Sequence, residues 1–238
     1  MRLINNFMMA GALAALATMA AAGAAYAQIA ACPSAAMSVY VVTGFTCTIG
    51  DKTFSNFSYT PTTSGTGTSS PATSVAVTPL GPPEFGFSFT GIWNSGSDGT
   101  GDAGIAYIVA VTNGMPLIDS AFLSLTGSLT TGPGVGGTVG ETLCEGGNGM
   151  SCPNSDILSV SLAGPPTDTL NPLSSGPVSI VGVQKDIDAT SEGAGGSASI
   201  SVVTNTVDQV TVPEPASLAL LGSALIGFGA FRRRRKAA

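Results

Sequence analysis

The residues that could do chemistry in this sequence are few, and one type is missing. The chain of 238 residues contains no histidine. That excludes a Ser-His-Asp triad, a Cys-His dyad and any His-ligated zinc or haem site. Carboxylates and cysteines remain. Asn94-Ser95-Gly96-Ser97-Asp98-Gly99-Thr100-Gly101-Asp102 reads as a polar, Gly-rich loop. Its Asp98 and Asp102 offer oxygens of the kind Ca²⁺ prefers, but the spacing lacks the D-x-D-x-D-G run and the terminal Glu of an EF-hand. They are weak metal candidates, and a solvated loop is the plainer reading. Asp186, Asp188 and Glu192 form a second acidic group. On a strand, alternation puts both aspartates on one face, where surface solubility explains them. A glycosidase needs two carboxylates ~5–10 Å apart. No pair here is accompanied by an aromatic sugar platform, and the single tryptophan, Trp93, is expected in the core or at a sheet edge. The sequence therefore predicts a non-enzymatic protein with no catalytic residues and no cofactor.

The cysteines point to a compartment. Cys32, Cys47, Cys144 and Cys152 allow three connectivities. Pairing of sequence neighbours, Cys32–Cys47 and Cys144–Cys152, is expected, with the second closing a Gly-rich loop around Glu145–Met150. Neither spacing matches a zinc signature, and disulfides persist in exported proteins.

These residues must be held by something, and the chain between Gln28 and Val212 suggests what. Gly and Pro punctuate it throughout, so no 3.6-residue period is sustained and helices of normal length are not expected. Between the breakers lie short, β-branched, often alternating segments. The predicted strands are Ser38–Thr43, Phe45–Ile49, Thr53–Thr60, Ser74–Thr78, Phe85–Trp93, Ala103–Thr112, Ala121–Leu129, Val135–Leu143, Ile157–Leu162, Val178–Ile187 and Ala198–Val207. In Phe85–Trp93 the alternation is explicit: Phe85, Phe87 and Phe89 point one way, Gly86, Ser88 and Thr90 the other. In Thr53–Thr60, Phe54 and Phe57 fall out of strict phase, which predicts a bulge or turn near Asn56. Thr62–Ser70 reads as a flexible Ser/Thr/Gly loop. The fold class is all-β: a single antiparallel β-sandwich or jelly-roll-like domain, flanked by an N-terminal signal helix and a C-terminal hydrophobic helix.

Charge divides the chain as sharply as glycine does. Overall the net charge is −6, with 9% charged residues. The middle keeps only Lys52 and Lys185 against 13 of the 14 acids, a net −11. A surface of that sign lacks the basic footprint nucleic acid requires.

Both ends read as addresses. Residues 1–27 carry Arg2, an apolar run from Phe7 to Ala22 and the A-x-A site Ala25-Tyr26-Ala27, which predicts signal-peptidase cleavage before Gln28. At the other end, Ala216–Phe231 is uncharged and followed at once by Arg232, Arg233, Arg234, Arg235 and Lys236. As a helix at ~1.5 Å per residue it would be about 24 Å long, slightly short of the ~30 Å bilayer core. The basic cluster would stay in the cytoplasm by the positive-inside rule.

Pro213-Glu214-Pro215, the apolar span and the basic tail, in that order, resemble a PEP-CTERM sorting signal. The stretches 47–60 and 77–91 also resemble the exported domain of some PEP-CTERM proteins, a likeness that carries no activity. The resemblance implies export through the Sec translocon and brief retention in the inner membrane. It further implies processing near Pro-Glu-Pro by an exosortase, then release to the cell surface or the exopolysaccharide matrix of a Gram-negative bacterium. The expected organisation is a signal peptide over 1–27, a sandwich over 28–208, a stalk over 209–212 and the sorting signal over 213–238. The alternatives are a polysaccharide- or Ca²⁺-binding surface module and, less favoured, a carboxylate-dependent glycoside hydrolase.

Overall fold

The computed structural model describes residues 29–112, 116–147, 152, 154–193 and 195–209. The signal cleavage residues Ala25, Ala27 and Gln28, the Pro213-Glu214-Pro215 motif, the apolar span and the basic cluster lie outside them. Among the described residues no helix is long and apolar enough to cross a membrane.

Alternating strands bury one face each, and two sheets of them make the core. One sheet is ordered β1 (Ala35–Ala36), β5 (Ala76–Leu80), β6 (Phe85–Asn94), β13 (Ser197–Gln209), β8 (Ile118–Thr130) and β11 (Thr167–Leu170). A further short strand, β4 (Thr68–Ser69), also pairs with β6. The other sheet is ordered β10 (Asn154–Ser161), β9 (Gly136–Glu145), β12 (Ile180–Ser191), β7 (Gly99–Val111), β3 (Lys52–Gly65) and β2 (Thr46–Ile49). Every pairing between these strands is antiparallel.

The two sheets meet through aromatic rings. Phe85, Phe87, Phe89 and Trp93 of β6 are all buried, as their spacing predicts. Phe87 stands at the centre: its ring centroid is 4.8 Å from Phe54, 5.6 Å from Phe57 and 5.7 Å from Tyr107, all on the opposite sheet. Edge-on geometries such as these suit the ring quadrupoles. Phe54 and Phe57 can both face inward because the register of β3 against β7 shifts between Ser55 and Ser58. Asn56 takes up the extra residue with φ 54°, a left-handed conformation that Asn tolerates better than most residues. Trp93 is fully buried, and its indole N–H donates to Tyr59 Oη at 3.2 Å.

Two local expectations are corrected. Ser38–Thr43 is not a strand: Met37–Tyr40 forms a single helical turn, α1. Met37 and Tyr40, three apart, both reach the core, while Val39 and Val42 face solvent. Three-residue spacing of buried groups suits a helical turn, and the β-branched valines gave a misleading signal. Thr62–Ser70 is not a flexible loop either. β3 continues to Gly65, paired with β7 as far as Gly99, and Thr68–Ser69 adds β4. Ser64 and Thr100 hydroxyls bond across the ladder at 2.9 Å. Small residues here permit close approach of backbones: a side chain on Gly67 would lie 1.8 Å from the Thr100 carbonyl. At the far end, β13 runs through Gln209, whose side-chain amide donates to Asp51 at 2.6 Å.

Both disulfides form as expected. Cys32–Cys47 ties the N-terminal arm to β2, and Cys144–Cys152 links β9 to the chain entering β10.

Candidate functional site

Four strands place a polar side chain where their alternation demands an apolar one. On β9, Glu141 lies between inward-facing Val139 and Leu143; on β12, Lys185 lies between Val183 and Ile187. On β7, Tyr107 lies between Ile105 and Val109. On β13, in the facing sheet, Asn205 lies between Val203 and Val207. Glu141, Lys185 and Asn205 are 1%, 3% and 1% exposed. Charged residues are almost never buried so completely unless paired.

They are paired, and the pairing crosses the sandwich. Glu141 and Lys185 are direct cross-strand partners in the β9–β12 register. The Lys185 ammonium group donates to Glu141 Oε2. From the other sheet, the Asn205 amide Nδ2 donates to Glu141 Oε1 at 2.8 Å and to the Phe122 carbonyl at 3.0 Å. The Tyr107 hydroxyl donates to Asn205 Oδ1. Lys185 Nζ also stands 5.3 Å from the Tyr107 ring centroid. One carboxyl group thus holds an amine on one oxygen and a carboxamide on the other, and a phenol holds the carboxamide's carbonyl.

Burial dominates the electrostatics. It pushes the Glu141 carboxyl up, against the opposing pull of Lys185 and the Asn205 hydrogen bond. It pushes the Lys185 amine down, against Glu141. Both shifts run towards the neutral forms. Burial, and then the charge of Glu141, hold the Tyr107 phenol well above its usual range, so it stays a hydrogen-bond donor. As a simple ion pair this arrangement is an inefficient way to stabilise a fold, because removing each ion from water costs several kcal/mol. As chemistry it is a nucleophile, a proton carrier and a polarised carbonyl brought together away from solvent.

The carboxylates singled out by the sequence lie elsewhere. Asp98 sits exposed in the turn before β7. Asp102 is on the outer face of β7, directly opposite Asp188 of β12. Burial, then the charges of Asp186 and Asp188, raise Asp102, and a hydrogen bond with Thr62 pulls the other way. The structure therefore groups Asp102 with Asp186 and Asp188, not with Asp98. Among the described residues no group of three acidic or cysteine side chains is arranged to hold a metal ion. A different pair lies beside the second disulfide. Burial and a hydrogen bond with Asp156 raise Glu145. Burial also works against the Asp156 carboxylate, but hydrogen bonds from Glu145 and Ser174 outweigh it and lower that group. Glu145 and Asp156 accept the Ser175 and Ser174 backbone N–H groups at 2.9 and 2.8 Å, which fastens the 171–176 turn to the β9–β10 hairpin.

Residues 211–235 match the family model described as the PEP-CTERM protein-sorting motif. The chain carries a PEP-CTERM sorting signal. The matched PEP-CTERM segment takes in Pro213-Glu214-Pro215, the apolar span and the cluster through Arg235. A PEP-CTERM signal marks an exported protein, associated with the membrane during sorting, with an exosortase as its processing partner. No curated protein matches the chain. Solved structures with some similarity to it include two complexes. One is TmCBM61 in complex with beta-1,4-galactotriose, at TM-score 0.33 and 10% identity over 64% of this chain and 88% of that one. The other is a family 11 carbohydrate-binding module from Clostridium thermocellum in complex with a beta-1,3-1,4-mixed-linked tetrasaccharide, at TM-score 0.25 and 10% identity over 64% and 89%.

Proposed function

We propose that this is a non-enzymatic protein of the cell surface or exopolysaccharide matrix of a Gram-negative bacterium, delivered there by its PEP-CTERM signal. The observation that carries the reading is where the signal begins. The last described strand runs to Gln209, and the matched motif starts at residue 211. A cut near Pro213-Glu214-Pro215 would remove none of the described strand residues, so the described sandwich would leave the membrane whole. Two disulfides suit an oxidising destination. A middle segment of net −11 suits a solvated, like-charged surface and argues against nucleic-acid partners.

Cell fractionation with and without the host's exosortase tests this. With the enzyme present, the protein is expected in the surface or matrix fraction. Without it, the protein is expected in the inner membrane, with its C-terminal segment still attached. Recovery of the same soluble cytoplasmic form from both strains would contradict the proposal.

A further inference from the structure

We propose that Lys185 and Asn205 become joined by an amide bond between their side chains, which the folded domain makes for itself with Glu141 as proton carrier. The bond would run between β12 of one sheet and β13 of the other, a covalent rivet through the core.

Each atom the reaction needs has a partner in place. Lys185 Nζ, held on Glu141 Oε2, is the nucleophile. The Asn205 side-chain carbonyl carbon is the electrophile. Its oxygen accepts a hydrogen bond from Tyr107, positioned to stabilise the charge that develops there as the amine adds. Its nitrogen, the leaving group, is held on Glu141 Oε1 at 2.8 Å. The attacking amine forms a C–N bond and releases a proton to the carboxyl group through one oxygen. The carboxyl group delivers a proton through the other to the amide nitrogen. The old C–N bond then breaks and ammonia departs. The sum is an amine plus a carboxamide giving a secondary amide plus ammonia. No oxidant, metal or cofactor enters the balance, and Glu141 ends as it began.

The surroundings favour the step. Burial shifts the amine towards its free form and the carboxyl towards its protonated form, the directions that the first and last proton transfers require. Strand pairing fixes the groups, so the reaction is intramolecular and gains the large effective concentration of oriented partners. The product also suits the buried site: a neutral secondary amide takes the place of an amine that could carry its charge there only at a desolvation cost.

The test is peptide mapping of the full chain by mass spectrometry after denaturation and reduction. Cleavage after acidic residues cuts at Asp186, Asp188 and Glu192, between the two partners. The expected result is one branched peptide carrying Lys185 and Asn205, lighter by one ammonia than its two arms. Intact mass alone is insufficient, because an N-terminal Gln28 also loses ammonia when it cyclises. Two separate, unmodified peptides from the natural sequence would overturn the proposal. Glu141→Gln, confirmed as folded by circular dichroism, is expected to yield only separate peptides. Linking at the natural rate in that variant would overturn the role given to Glu141. Tyr107→Phe provides a second variant should Glu141→Gln not fold. Its linking, followed after cell-free synthesis, is expected to slow roughly a hundred-fold, the scale seen on removing one donor to a developing oxyanion. An unchanged rate would overturn the role given to Tyr107.

Discussion

Two glycines make a matched experiment on how the sandwich places its buried network. A side chain added at Gly86 of β6 would lie 2.0 Å from the backbone oxygen of Asn205 and 2.8 Å from the Thr206 α-carbon. Ordinary contacts begin at 3.4 Å. The obstructing atoms are backbone, so no flexible side chain can yield. Gly86→Ala must push β6 and β13 apart at the residue that reaches Glu141. Overpacking of this kind costs about 1–3 kcal/mol. At about 2–4 °C per kcal/mol for a domain of this size, the melting temperature should fall by roughly 2–12 °C. Gly104 of β7 is the control. A side chain there meets only the Lys185 carbonyl oxygen, at 3.9 Å. Gly104→Ala should be neutral or stabilise by up to about 1 kcal/mol, because glycine in a strand interior carries an entropic cost. Thermal and urea denaturation of the three proteins is the assay. A Gly86→Ala domain as stable as the parent, or an equal loss at Gly104, would refute the packing argument.

Other outcomes follow from the same structure. Replacing both Cys32 and Cys47 by Ser should cost about 3 kcal/mol, and replacing Cys144 and Cys152 about 2.5 kcal/mol, on loop-entropy grounds. Urea denaturation reads both, and a larger loss from the shorter loop would contradict that ordering. On the outer face, burial and then Asp186 raise the Asp188 carboxyl above 3.8. A carboxyl raised by folding weakens the fold at pH values above its folded value, and the penalty is relieved as pH falls through that value. Asp188→Asn should therefore raise the melting temperature slightly at pH 7, with the gain shrinking on acidification towards pH 4. A gain that grew on acidification would contradict the sign.

Much of the fold was legible because the core residues obey a period of two. Phe85, Phe87, Phe89 and Trp93 announced β6, and Ile105, Tyr107 and Val109 announced β7. Even the bulge at Asn56 was visible, as a slip in the phase of Phe54 and Phe57. What composition hid was the difference between a flexible Ser/Thr/Gly loop and a strand whose small residues let two backbones meet at Gly67 and Thr100. At α1, a local β signal from three valines lost to the burial of Met37 and Tyr40. The candidate site was missed although its signal was present. Alternation that places Asp186 and Asp188 outside also places Lys185 inside, between Val183 and Ile187. Glu141 and Asn205 break apolar phases in the same way. Which of these polar intrusions meet is set by strand order, since β9, β12 and β13 come together only in the folded sandwich.

The most direct measurement on the account as a whole is the C-terminal residue of the protein recovered from its host. The account predicts a mature chain that contains β13 through Gln209, ends near Pro213-Glu214-Pro215 and lacks the apolar span and arginines. A C-terminal peptide still ending in Ala238, on protein taken from the surface or matrix, would contradict it.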